Sequence, residues 1–222
     1  MIWYDLDNWQ NGFIFEPYFM SYLLQGRKHA PDREVWDIWK GRLAEKAWQG
    51  RAMLPYGDPA LRRAYPIGVA KSFQWGTVTS GPGRDAQPMI YMFALEGGQK
   101  WIDAVSQLAD YPLGLNPTGN SYITGLGANP PQNPTHLDSF PYDQAGGIGP
   151  VPGITLFGPF RQDPPSVSYS ATVWRKVVPP WDQLPLQRHW SDGWSLIPVN
   201  EFSVWETEIP NVILYAFLGS LD

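Results

Sequence analysis

Asp85-Ala86-Gln87-Pro88-Met89-Ile90-Tyr91-Met92-Phe93-Ala94-Leu95, then Glu96-Gly97-Gly98, then Gln99-Lys100-Trp101-Ile102-Asp103-Ala104-Val105-Ser106-Gln107-Leu108-Ala109, is the stretch on which the fold turns. Two long runs without glycine flank a Gly-Gly turn too short for anything but a reversal, so the spacing predicts an antiparallel helix hairpin. In the second run Ile102, Val105, Leu108 and Ala109 recur at three- and four-residue intervals, which predicts the face turned to the core.

The same helical grammar extends outward on both sides. Upstream, Asp32 can accept the first free amides of a helix whose Val35, Trp36, Trp39, Leu43 and Ala47 form one apolar face, up to Gly50. Lys40, Arg42, Glu45 and Lys46 lie on the opposite face. Residues 13–24 are densely apolar and end at Gly26, predicting a buried helix that begins near Glu16-Pro17. Downstream, Pro210 suits a helix first turn, and the apolar run after it reaches Gly219. No strand-like alternation persists anywhere, so the expected class is all-α, with 1–222 forming one domain. Residues 116–163 are rich in Gly, Pro, Asn and aromatics, and so long an irregular stretch between helices predicts a functional surface.

Composition narrows the chemistry. A chain of 222 residues, 43% hydrophobic, can bury a full core. Its formal net charge of -5 offers no basic field for a phosphate backbone, so nucleic acid is not an expected partner. The absence of cysteine removes disulfides and thiolate ligands, and three histidines without paired spacing predict no metal site and no cofactor. The first residues, Met1-Ile2-Trp3-Tyr4-Asp5, lack the plan of a secretory signal, and no apolar run is long enough for a bilayer span. The 12 tryptophans suit core burial and stacking on sugar rings alike.

Six segments carry a resemblance. They are Trp75-Gly76, Tyr111-Pro112-Leu113-Gly114-Leu115-Asn116-Pro117, Ser121-Tyr122-Ile123-Thr124-Gly125-Leu126-Gly127, Pro152-Gly153-Ile154-Thr155-Leu156-Phe157-Gly158-Pro159, Trp190-Ser191-Asp192 and Asn200-Glu201-Phe202-Ser203. In this order they resemble the C-terminal half of the family nine glycoside hydrolases, endoglucanase-type enzymes built as an (α/α)6 toroid of paired helices. The resemblance implies a partial toroid, β-linked glucan-type saccharides as ligands, and hydrolysis by inversion in the complete domain. It implies Glu201 as the general acid that protonates the leaving oxygen, with Asp192 assisting. Candidate saccharide contacts are His136, Trp190, Trp194, Tyr122 and Asn116, and Trp205 is a further tryptophan that could stack or pack inward.

The departures are equally specific. Where the family's first signature ends in Pro-His-x-Arg, this chain reads Pro134-Thr135-His136-Leu137. Thr207 and Glu208 stand where an Asn and a small residue close the second signature, and Ile197 replaces an aromatic. The base of an inverting member comes from an Asp-Ala-Gly-Asp-like element in the N-terminal half, and this chain contains none. The resemblance therefore implies a partner, the missing N-terminal half of the domain, and a secreted or periplasmic setting for the whole enzyme. Two further readings stand beside a hydrolase: saccharide binding without cleavage, and one chain of a split enzyme. Glu201 itself has a plainer reading, as a carboxylate stabilised at the start of the helix that follows it.

Overall fold

A computed structural model describes residues 16–25, 28–52, 76–78, 82–139, 149–159, 177–180 and 183–221. Its helices are α1 (Glu16–Gln25), α2 (Arg33–Ala52), α3 (Pro82–Glu96), α4 (Gln99–Asp110), the single turn α5 (Ile197–Asn200) and α6 (Ile209–Gly219). Among the described residues the only β pairing is one antiparallel bridge, Ile123 with Thr155. Gly26 and Trp75 lie outside the described residues, as does the start of the 13–24 run.

The hairpin forms for the reasons its sequence gives. Gly97 and Gly98 adopt φ of 69° and 110°, a left-handed region that disfavours side chains, and so reverse the chain in two residues. Glu96 then joins the two arms, accepting from Trp101 Nε1 at 3.0 Å and pairing with Lys100 Nζ at 3.0 Å. The face of α4 that is buried consists of Trp101, Ala104, Val105, Leu108 and Ala109. Ile102, expected in that face, is only half-buried, because Trp101 takes the inward position instead.

Helix α2 begins as expected, with Val35 N donating to Asp32 Oδ1 at 3.2 Å. It packs against α3, which also packs against α4 and α6. The start of α3 meets α6 so closely that a Cβ on Gly83 would stand 2.5 Å from the Pro210 carbonyl carbon. Farther along the pair, Phe93 and Phe217 meet edge to face at 5.3 Å, and Tyr215 of α6 reaches across to α4, donating to the Ala109 carbonyl at 2.9 Å. The core, including Met89, Met92, Leu108 and Leu214, is therefore centred on α3. Burying each such side chain contributes about 1.5–3 kcal/mol. No helix among the described residues is long and apolar enough to cross a membrane.

One charged group sits inside this packing. Asp85, in the first turn of α3, has its carboxyl enclosed although the residue as a whole is only partly covered. Burial pushes its pKa up from the ordinary 3.8 to about 7, against the opposing pull of Lys46 and Arg84. A raised acid pKa means the folded state holds the proton that the unfolded state gives up. Asp85 should thus cost stability as pH rises from about 4 to about 7, with no further change above. Urea unfolding across pH should show that decline in the wild type and a flatter profile in Asp85→Asn, which becomes the more stable protein above pH 7.

Candidate active site

After α4 the chain turns on Asn116, which is 3% exposed. Its Nδ2 donates to the carbonyls of Tyr111 at 2.8 Å and Asn120 at 2.7 Å. Its Oδ1 accepts from Thr118 N at 3.0 Å, from the Thr118 hydroxyl at 2.6 Å and from the Tyr122 hydroxyl at 3.2 Å. An amide side chain alone offers two donors and an acceptor in one plane, which is why Asn serves at this corner. The loop then folds back on itself through Ser121 N to Ala128 O at 2.6 Å and Ala128 N to Leu113 O at 2.8 Å. Gly127 makes that return possible: its φ is 75°, and a Cβ there would run into the Leu113 carbonyl.

Segment 154–159 runs between this loop and the C-terminal part of the chain, and its direction changes at Gly158, whose φ is 75°. On one edge Leu156 N donates to Tyr122 O at 2.8 Å, and Thr124 N donates to Ile154 O at 3.0 Å. On the other, Phe157 N donates to Glu201 O at 2.9 Å, and Gly158 N to Val199 O at 3.2 Å. Val78 N and Thr77 N donate in turn to the carbonyls of Phe157 at 3.0 Å and Pro159 at 2.9 Å. Three stretches distant in sequence are thereby held to one segment.

Glu201 follows α5 with extended backbone, its carbonyl docked on that strand and its side chain exposed. Asn200, wholly buried, donates from Nδ2 to Ser191 O at 2.8 Å and Gly193 O at 2.9 Å, and so fixes the residues on either side of Asp192. The Asp192 carboxylate accepts from Gln132 N at 2.7 Å and Asn133 N at 2.9 Å. Thr135 completes the connection, its amide donating to Asn200 O at 2.8 Å and its hydroxyl to Trp194 O at 2.9 Å. His136 meets Phe202, the neighbour of Glu201, edge to face at 5.6 Å, while its Nδ1 pairs with the Ser139 hydroxyl at 2.8 Å. Glu201, Asp192, His136 and Trp194 are thus carried by two loops that interlock.

Three expected saccharide contacts stand elsewhere. Trp190 is 8% exposed, edge to face with Tyr122 at 5.3 Å, and Tyr122 and Asn116 are buried as well. Within this chain packing encloses Trp190 and Tyr122, and Asn116 spends its amide on backbone and on the hydroxyls of Thr118 and Tyr122, so none of the three presents a surface to solvent. Burial also pushes the Tyr122 phenol well above its ordinary pKa. Trp194 and Trp205 are the exposed indoles here, at 51% and 62%. The sequence offers Asn200 only as part of the Asn200-Glu201-Phe202-Ser203 match, with no role of its own, and Glu208 merely as a departure. Glu208 Oε1 accepts from Thr155 N at 2.7 Å, and burial raises its pKa while that hydrogen bond opposes the rise. Among the described residues no group of three or more His, Asp or Glu is placed to hold a metal ion.

Paired helices thus carry the interlocked loops that hold Glu201 and Asp192. The glycosyl hydrolase family 9 model matches residues 28–203, and the chain belongs to that family. It is 29% identical over 160 residues to a xyloglucan-specific endo-beta-1,4-glucanase of Bacteroides ovatus, covering 70% of this chain and 25% of that protein. It is 32% identical over 136 residues to a cellulose 1,4-beta-cellobiosidase of Acetivibrio thermocellus, covering 60% of this chain and 14% of that protein. A single mutant of the thermostable endoglucanase of Alicyclobacillus acidocaldarius superposes with TM-score 0.63 at 26% identity, over 90% of this chain and 34% of that one. The fold is that of the (α/α)6 barrels, of which this chain spans about a third.

The Asp192 clamp has a measurable consequence. Asp192→Ala removes the acceptor for two backbone amides at an exposed site, which should cost about 1 kcal/mol. Amide exchange at Gln132 and Asn133 should accelerate, while exchange within α3 stays as it was.

Proposed function

We propose that this chain is the Glu201-bearing part of a family 9 catalytic domain that hydrolyses β-linked glucan-type poly- or oligosaccharides by inversion. Glu201 is the general acid in this reading, and Asp192 supports it by holding the 132–136 loop beside it. The observation that carries the reading is the convergence of Glu201, Asp192 and His136 through Asn200, Thr135 and Phe202. An inverting mechanism places a second carboxylate about 6.5–9.5 Å from the acid, with room between them for the attacking water. No Asp-Ala-Gly-Asp-like element occurs in these 222 residues, so the base belongs to a part of the domain they do not contain. Exposed Trp194 and Trp205 offer flat faces for sugar rings, and His136 offers a polar edge.

A second reading is saccharide binding without cleavage by this chain alone. It is favoured by the chain's covering only 25% of its Bacteroides relative while retaining the acid-bearing loops.

One experiment tests what the two readings share. The chain alone, wild type and Glu201→Gln, is offered xyloglucan, carboxymethyl cellulose and short β-1,4-linked oligosaccharides, with binding and reducing-end release both measured. Binding by both proteins without release is the expected result. Release abolished by Glu201→Gln would place the base inside this chain and overturn the proposed division, and absence of binding would overturn the saccharide reading.

A further inference from the structure

Glu208 closes the one π-helical turn of the described residues, Val204–Glu208, between Glu201 and α6. Turns of this kind are uncommon and concentrate at functional sites. The turn is internally fixed, since the Thr207 hydroxyl donates to Ser203 O at 3.0 Å and accepts from Ser203 N at 3.1 Å. Glu208 therefore has little freedom in where its carboxylate reaches, and it reaches the amide of Thr155 at 2.7 Å.

Thr155 and Phe157 are alternate residues of an extended segment, so their amides point to the same edge, about 6.5–7 Å apart. One takes the Glu208 carboxylate and the other takes the Glu201 carbonyl. The Glu201–Glu208 stretch is thus bound to a single strand edge at both of its ends. The side chain supplies at Thr155 the acceptor that a backbone carbonyl would supply in a regular sheet. A small side chain at position 208 could not reach that amide.

We propose that Glu208 is a positioning residue for Glu201: by accepting the Thr155 amide it fixes the register of 154–158 against 201–208, and so fixes where the Glu201 carboxylate stands. The consequence for function rests on the reading of Glu201 as the site's acid. The contact itself does not, and the two can be tested separately. Neutral or ionised, Glu208 offers an oxygen to Thr155, and glutamine in its place offers the same oxygen.

The test follows amide hydrogen exchange and cellotetraose binding in the wild type, Glu208→Gln and Glu208→Ala. In Glu208→Ala, exchange at Thr155, Phe157 and Gly158 should rise about tenfold, as expected when one buried hydrogen bond is lost. Exchange within α4 should stay unchanged, and cellotetraose affinity should fall about tenfold through the displaced Glu201 loop. Glu208→Gln should behave as the wild type in every readout. Unchanged exchange at Phe157 in Glu208→Ala overturns the proposal, as does a rise spread equally over α3, α4 and α6, which marks a purely stabilising role. Should the alanine variant fail to fold, Glu208→Asp, one methylene too short, decides by the same criteria. A wild type that binds no cellotetraose overturns the functional reading alone, while exchange still decides the positioning contact.

Discussion

The backbone hydrogen bonds of segment 154–159 are the constraint on which the rest of the structure depends. Leu156 and Phe157 are buried, at 0% and 5% exposure, so their amides and carbonyls are out of reach of bulk water and need partners within the protein. The partners come from residues 77–78, 122–124, 199–201 and 208. A buried polar group left unpaired costs about 1–3 kcal/mol, so displacing any one of these elements penalises the segment at once. Sterics reinforce the arrangement. Gly76 and Gly158 adopt φ of 87° and 75°, and a Cβ on Gly158 would stand 2.9 Å from Val78 Cγ2.

What this does for the site is to separate the two ends of Glu201. Its carbonyl is tied to the 154–159 segment, while the residue as a whole remains exposed. The loops on either side are tied by side chains rather than by regular structure: Asn200 holds 191–193, Asp192 holds 132–133, and Thr135 returns to Asn200 and Trp194. All of these links but the Thr135 amide's bond to the Asn200 carbonyl use a polar side chain to serve backbone groups that no helix or sheet satisfies. Such a site is pre-formed by its supporting hydrogen bonds.

Sequence made the helices legible and the loops only in part. The α3–α4 hairpin could be read because Gly97-Gly98 leaves one reversal open and the apolar period in 99–109 is helical, and Asp32 could be read because a cap has a local signature. Ile102 and Trp101 changed places because adjacent residues on a helix differ by only about 100°, within the width of an apolar face. Glu201 and Asp192 were legible through their spacing relative to known family members, not through any local pattern. The burial of Trp190, Tyr122 and Asn116 could not be read, since an indole, a phenol or an amide suits a core as well as a ligand. Their fate depends on Leu156 and on the fold-back of 121–128, which are contacts distant in sequence. Glu208 was visible only as an unexpected residue, and its partner Thr155 lies 53 positions away.

The 154–159 segment organises the surroundings of Glu201 within this chain. Through-hydrogen-bond scalar couplings, recorded on the labelled chain alone, test it most directly. Couplings are expected from Leu156 N to Tyr122 C′, Phe157 N to Glu201 C′ and Gly158 N to Val199 C′, with dispersed shifts through 154–159. Formed α3 and α4 helices accompanied by random-coil shifts and no couplings in 154–159 would contradict it.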